Sequence, residues 1–508
     1  MESATRPILI TGATGYIGGR LVPQLLERGY RVRCLARDPR KLSGRGWDQD
    51  PRVEIVRGDV LDRDSLRSAV QGCGAIFYLV HSMLSGEKSF ENQDRVGAEN
   101  CAVVAAEAGV DRIIYLGGLG HRAEKLSPHL ASRHEVGDVL REGRVPVTEL
   151  RAAMIVGSGS VSFEMLRALV QRLPFMICPR WVRVRTQPVA IRDVLAYLIG
   201  CLENPATAGR TFDIGGPDVL TYEQMMRRFA GILGGSRLRI LVVPVLTPRL
   251  SAYWVNMMTP VNAGLAFALI ESLKYETICE EGQIRQMVPI VPTGFDDAVR
   301  WALDEVNQHA VETRWTNASL RHRGLPDRVE RVSLPVLAPE NCPIRDVKRV
   351  LADVPPLVLF DKVRRIGGDV GWYYAGFLWK IRGWMDRAIG GVGLRRGRRD
   401  PVSVRIGDAI DFWRVEDVVP GRRLLLHAEM IVPGDAWLEF RVEPRDDGHS
   451  ELVQTAYFKP SPFWGRAYWY ACLPLHLFVF AGMARNIVRA AERDAAPEGA
   501  AALPAAGI

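Results

Sequence analysis

The stretch Ile8-Leu9-Ile10-Thr11-Gly12-Ala13-Thr14-Gly15-Tyr16-Ile17-Gly18 decides the architecture of the first half of this chain. A short apolar run enters a turn with glycine at every third position, and a helical pattern follows at once, with Leu21, Leu25 and Leu26 on one face. A tight turn needs a residue that tolerates positive φ. A pyrophosphate needs backbone without a side chain in its way. A helix N-terminus then offers free N–H groups and the positive end of its dipole. In this strand–turn–helix setting, Gly12, Thr14, Gly15, Tyr16, Ile17 and Gly18 read as a dinucleotide cradle.

Working outward, Arg31–Ala36, Val53–Val56, Ala75–Val80, Arg112–Leu116 and Val147–Leu150 read as further strands. Helical patterns separate them, notably at Ser65–Val70 and Phe90–Ala108. This alternation predicts an α/β fold, a Rossmann-type doubly wound parallel sheet covered on both faces. From about residue 155 to 305 the pattern loosens. Helices are expected at Phe163–Gln171, Ile191–Leu202 and Tyr222–Leu233, and a strand at Thr211–Ile214 runs into Gly215-Gly216-Pro217. This part reads as a substrate-side lobe of a domain spanning 1–305, too broken for a core of its own. Residues 306–345 are polar and punctuated by proline, and are expected to be a linker. A second domain is placed at 346–494. Its strands are expected at Val402–Ile406, Asp411–Glu416, Arg423–Met430, Ala436–Glu443 and Glu451–Phe458, with a long helix at Gly465–Arg493. Consecutive short strands predict an antiparallel sheet. The Ala/Pro/Gly-rich tail, 495–508, is expected to be disordered.

Composition bounds these readings. The chain has 508 residues, 47% hydrophobic and 24% charged, which excludes a disordered, collagen-like or coiled-coil protein. The net charge of +8 suits a phosphate-rich cofactor or an anionic surface. The eight cysteines include no CxxC pair, which argues against a disulfide framework or a metal site and for a reducing, cytoplasmic setting. MESATRPILI has no signal-peptide core. Ser251–Ile270 and Trp469–Ala484 are apolar; buried helices are the favoured reading, with peripheral membrane contact as the intermediate case.

The second strand ends Cys34-Leu35-Ala36-Arg37-Asp38-Pro39-Arg40-Lys41. Arg37 stands where a 2′-phosphate would lie, so NADP(H) is preferred; Asp38 keeps NAD(H) open. After the third strand, Asp59 either accepts from the adenine amino group, with Val60 backbone reading the ring, or caps the next helix.

TGATGYIGG, LARDP and RGDV resemble the atypical and extended short-chain dehydrogenase/reductases, within them the NmrA-like and complex I 39 kDa-subunit-like branch. The resemblance runs from residue 5 to about 300. LVHSM, YLGGLG, LSPHLASRHEVG and QPVAIRDV are similar to a bacterial group that fuses this domain to a DUF2867 domain. DFWRVEDVVPGRRLLLHAEM, PGDAWLEFRVEP and LVQTAYFKPSPFWGRAYWYACLPLHLFVF carry that second match, from about 330 to 492. It implies a helix-grip (START or polyketide-cyclase-like) fold around an apolar cavity. The crowding of Trp and Phe from Trp372 to Tyr470 fits such a pocket or a filled core.

Active members use a Ser after the fifth strand and a Tyr-x-x-x-Lys on the next helix. This chain has Gly117-Gly118 instead, His129 in place of Tyr and Arg133 in place of Lys. His129 is a candidate proton donor and Arg133 a candidate ribose ligand; a frame one turn off brings Ser132 to the site. His81 and His121 follow the fourth and fifth strands and are candidate cleft residues. The resemblance therefore implies an oxidoreductase acting on a lipophilic, quinone-like small molecule. The alternative is a non-catalytic NADP(H)-binding redox sensor or scaffold. A sugar-nucleotide epimerase is disfavoured, because epimerisation also needs the tyrosine. His476 reads as a satisfied buried histidine. Arg395-Arg396-Gly397-Arg398-Arg399 reads as a solvated loop or a site for anionic lipid or an acidic protein face, and no nucleic-acid partner is expected.

Overall fold

Ile8, Leu9 and Ile10 have no polar side-chain group to solvate and are buried on both faces of the sheet. Their strand, β1 (Ile8–Thr11), pairs in parallel with β2 (Val32–Ala36) on one side and β4 (Ala75–Tyr78) on the other. The sheet extends through β3 (Val53–Arg57), β5 (Arg112–Gly118), β6 (Val147–Ala152) and β7 (Thr211–Ile214), in the order β7-β6-β5-β4-β1-β2-β3. All of its pairings are parallel. The strand order reverses between β1 and β4, and ligands of such sheets bind in the crevice at that reversal, beyond the strands' C-terminal ends.

The computed structural model describes residues 6–81, 87–120, 126–173, 175–234, 238–243, 255, 259, 261, 263–280, 282–307, 313–314, 342–393 and 398–495, apart from the side chains of 87–91, 263–264, 307 and 447. Two compact units divide at Ser319 and Leu320.

In the first unit, α1 (Gly18–Glu27), α2 (Arg63–Val70), α3 (Glu87–Glu107) and α4 (Pro128–Glu142) connect the strands. Further on come α5 (Val161–Arg172), α6 (Ile191–Glu203), α7 (Tyr222–Ile232), α8 (Ala263–Ser272) and α9 (Phe295–Asn307). Two expectations are corrected here. Thr211–Ile214 belongs to the main sheet, where Phe212 and Ile214 join the core beside β6. The lobe also has a core of its own, in which Phe163, Met225, Phe229 and Val299 are fully buried. Nine of the twenty residues of Ser251–Ile270 lie outside the described residues; of the others, Val255, Val261, Leu265, Ala266 and Ile270 are buried.

Among its described residues, the second unit has a six-stranded antiparallel sheet and three α-helices. Its strands are β8 (Ile344–Ala352), β9 (Ala409–Ile410), β10 (Trp413–Val419), β11 (Arg423–Ala428), β12 (Gly434–Pro444) and β13 (Ser450–Pro460), in the order β8-β13-β12-β11-β10-β9. The helices are α10 (Pro356–Arg364), α11 (Gly376–Ala388) and α12 (Trp464–Ala495). Val402–Ile406 forms no strand. The edge strand β8 begins at Ile344, inside the stretch expected to be a linker; its alternating charges disguised it as a polar connection. Leu438 and Phe440 on β12 share one core with Met483 and Ile487 of α12. Trp437 and Glu439 lie on the opposite face, where Tyr457 donates to Glu439 at 2.9 Å and Arg423 pairs with it at 2.6 Å. Trp372 stacks on Phe412 at 6.0 Å, and Trp379 stands 5.0 Å from Trp372, so much of the aromatic density is packed core.

Candidate functional site

The glycine turn is sterically enforced. Gly12 has φ +81°, and a Cβ there would lie 2.7 Å from the Leu79 carbonyl oxygen; one at Gly18 would lie 2.4 Å from the Gly12 oxygen. No side chain fits at either place. Gly15 differs, since a Cβ there would meet only the Gly12 oxygen, at 3.1 Å. Its outer side is open. Helix α1 has no side-chain cap at Ile17, whereas Asp62, Ser127, Ser160 and Thr221 cap α2, α4, α5 and α7. The positive end of α1 is thus left for an anion, and an open glycine before it fits a pyrophosphate.

At the end of β2, Arg37 is exposed. Asp38 accepts from the Arg40 backbone at 3.2 Å and from its guanidinium at 2.9 Å, and Lys41 is buried. Arg40 and Asp38 therefore satisfy each other. Arg45, which sequence reasoning missed, donates to the Thr14 carbonyl at 3.3 Å. It lies too far along the chain from β2 for spacing to reveal it. Asp59 accepts from Leu61 N–H at 3.1 Å and so closes its own turn, while Asp62 caps α2. Val60 is buried, and its carbonyl accepts from Asn100 at 2.9 Å.

On the other side of the strand-order reversal, His81 follows β4 and His129 lies in the first turn of α4. The structure brings the two together: His81 Nε2 is 3.3 Å from His129 Nδ1, and His81 Nδ1 is 2.8 Å from Asp94 Oδ2. Asp94, on α3, is buried and takes a long contact from Ser132 Oγ at 3.5 Å. The result is a continuous Asp94–His81–His129 chain. Sequence reading named both histidines separately but missed Asp94 and the link; three elements supply these groups, and no local motif joins them. His121 lies outside the described residues.

Arg133, one turn after His129, lays its stem over Gly118, with Cγ 3.6 Å from where a Cβ would be, and Leu130 is closer still at 3.0 Å. Helix α4 therefore packs closely on β5 at Gly118, through Leu130 and the Arg133 stem. The Arg133 Nε is buried with no hydrogen-bond partner among the described residues, which suits a group that awaits a ligand hydroxyl. Ser132 is buried against Asp94.

Burial drives the His129 imidazole well below its ordinary value of 6.5, with the His81 and Arg133 charges adding to the effect. Burial and Arg133 also lower His81, against the pull of Asp94. Both rings are therefore neutral at pH 7 in the folded chain. The unfolded chain binds protons at these rings near pH 6.5 and the folded chain does not, so folding stability falls as pH drops below about 6.5. Thermal melting of the N-terminal unit from pH 7 downward is expected to show this fall, with a shallower slope in His129→Phe.

Elsewhere, Arg398 donates to the Arg364 carbonyl at 2.7 Å and Arg399 to Asp408 at 3.2 Å. These two arginines are tied inside the second unit, Arg399 buried and Arg398 half-buried; Arg395, Arg396 and Gly397 lie outside the described residues. His476 sits edge-on to Trp469 and Phe480, and burial pushes it down to about 4.

Residues 12–162 match a family described as NAD(P)H-binding, and residues 339–483 match DUF2867, a family of proteins of unknown function. The (4-alkanoyl-5-oxo-2,5-dihydrofuran-3-yl)methyl phosphate reductase of Streptomyces griseus is 28% identical over 234 residues, 45% of this chain and 74% of its own length. Ceramide reductase of Caulobacter vibrioides is 28% identical over 241 residues, 47% of this chain and 73% of its own. Subunit 9 of the NADH dehydrogenase (ubiquinone) 1 alpha subcomplex of Arabidopsis thaliana mitochondria is 26% identical over 229 residues, 42% of this chain and 55% of its own.

Proposed function

We propose that this chain, in which an NAD(P)H-binding domain precedes a DUF2867 domain, is an NAD(P)H-dependent reductase of a lipophilic small molecule with a quinone-like or carbonyl acceptor. The Asp94–His81–His129 chain beside the strand-order reversal carries this reading. Ceramide reductase, among the similar proteins, is named for a lipid substrate, which supports the substrate class.

Bound dinucleotide supplies a hydride to an electrophilic carbon. The Gly12–Gly18 turn and the uncapped end of α1 hold its pyrophosphate, and Arg133 is the candidate ligand of a ribose hydroxyl. His129 moves the proton. With both rings neutral, Asp94 accepts from His81 Nδ1–H, His81 Nε2 accepts from His129 Nδ1–H, and His129 Nε2 is a lone pair that takes a proton from an alcohol. One proton added to the pair reverses the second bond: His81 Nε2–H donates, and His129 Nε2–H protonates the reduced acceptor. Reduction is thus favoured as pH falls and oxidation as it rises.

NADP(H) is the preferred cofactor in this reading, because Arg37 is exposed while Asp38 is engaged by Arg40. Arg37→Glu is expected to weaken NADPH binding roughly tenfold and leave NADH nearly unchanged, as read by fluorescence titration. Asp59 and Val60 are assigned to the adenine edge. The eight free thiols favour a reducing compartment, the cytoplasm.

The missing Ser, Tyr and Lys favour a second reading, a dinucleotide-binding sensor or scaffold. Mass spectrometry of small molecules released on denaturing the purified protein separates the two. NADP(H) with a reducible lipophile is expected, and that lipophile should be reduced in single-turnover mixing. Dinucleotide alone, with no turnover of quinones or lipophilic carbonyls, supports the second reading.

A further inference from the structure

Not all the aromatic residues of the C-terminal unit enter its core. On α11, Phe377, Ile381, Trp384 and Met385 recur at helical spacing and, with Ile389 just after the helix, are all more than half exposed, Trp384 at 69%. At the start of α12, Phe463 is 75% exposed, Trp464 73% and Tyr470 67%, followed by exposed Leu475, Leu477 and Phe478. The two segments meet at a few aromatic contacts. Tyr374, just before α11, has its ring 5.2 Å from Phe478, and Trp379 on α11 lies 6.1 Å from Phe480.

The backbone invests strain in this display. Phe463 has φ +57° and Ala375, at the start of α11, has φ +50°, a region costly for residues with a Cβ. The charges on the face have one sign. Lys380 and Arg466 are exposed, and Arg382 and Arg387 are half-buried. The single acid of α11, Asp386, is fully buried and accepts from Gly393 N–H at 2.9 Å. Between Glu451 and Glu492 the chain has no acid at all.

Helix α12 has 32 residues and a window of mean hydropathy 1.5, long and apolar enough to cross a membrane. Its second half is committed elsewhere: Met483, Ala484, Ile487, Val488 and Ala491 are core residues. Only the first half, with α11, is free to meet an apolar phase. An apolar face with Trp and Phe at its crest, a Lys/Arg rim and no exposed acid on either helical segment among the described residues matches a helix lying in a membrane interface. A water-exposed patch of this kind marks an interaction surface. The one-signed rim selects a negative partner, and the long apolar side chains need one that admits them without hydrogen bonds.

We propose that this face docks on an anionic lipid bilayer, with Phe377, Trp384, Phe463 and Trp464 inserted at headgroup depth and Lys380 and Arg466 beside lipid phosphates. The assignment does not rest on the reductase reading.

Co-sedimentation of the full chain with phosphatidylglycerol-containing vesicles tests it, with pure phosphatidylcholine vesicles alongside. Binding to the anionic vesicles is expected, weaker in high salt and weaker on phosphatidylcholine. Phe377→Ser/Trp384→Ser/Phe463→Ser/Trp464→Ser, all at exposed positions, should lower partitioning at least roughly tenfold with an unchanged circular dichroism spectrum. Lys380→Glu/Arg466→Glu, which removes no apolar group, should abolish the preference for anionic vesicles. Wild-type protein that stays in the supernatant would overturn the proposal. So would equal binding by the fourfold variant, or a dimer that this variant dissociates in a chain with no affinity for vesicles.

Discussion

Gly15→Asp is expected to weaken dinucleotide binding by about 10³-fold, as read by isothermal titration with NADPH against the wild type. A side chain at Gly15 projects into the open side of the turn, where nothing but the Gly12 oxygen lies near its Cβ. A carboxylate there stands in the place of a phosphate oxygen, beside the end of α1 that Ile17 leaves uncapped. Two like charges at such a site repel by several kcal/mol, and about 4 kcal/mol is three decades of affinity. Gly15→Ala is the control for shape. It adds a methyl whose one close contact is the Gly12 oxygen at 3.1 Å, with no charge, and should keep most of the affinity. Undiminished binding in Gly15→Asp would move the cofactor away from this turn.

The second large effect is at His129. His129→Phe keeps a ring of similar size and removes the terminal group of the proton chain. Loss of one positioned acid–base group typically costs about 10²–10⁴-fold in rate. A drop of that order in kcat for acceptor reduction is expected, with NADPH affinity nearly unchanged, because His129 meets His81 and not the glycine turn. Asp94→Asn should cost less. An amide in place of the buried carboxylate no longer stabilises a protonated His81, so the low-pH rise in reduction rate should flatten and shift to more acidic pH. Turnover unaffected by either change would remove the proton chain from the mechanism and leave the binding-protein reading.

The nucleotide turn was legible in one dimension because its chemistry is local. Gly12, Gly15 and Gly18 are set by distances of a few residues, and the strand before and helix after them follow from apolar periodicity. The same holds for the first six strands, each a short apolar run bounded by turns. Thr211–Ile214 was visible as a strand, but its place beside β6 was not, because pairing across the intervening chain leaves no mark on the strand itself. The aromatic runs of the C-terminal unit signalled burial or a pocket without saying which rings pack. Only the fold sends Trp372, Trp379 and Phe412 inward and leaves Trp384 and Trp464 in solvent.

The sequence by itself determined that this protein carries a dinucleotide-type turn, a parallel sheet and a second, β-rich domain, and its resemblance to the short-chain reductases implied that their Ser and Tyr-x-x-x-Lys are replaced. Only the tertiary structure decided what stands in their place. Asp94, His81 and His129 come from α3, the end of β4 and α4, and a hydrogen-bonded chain across three elements exists only once long-range packing has brought them within 2.8 and 3.3 Å.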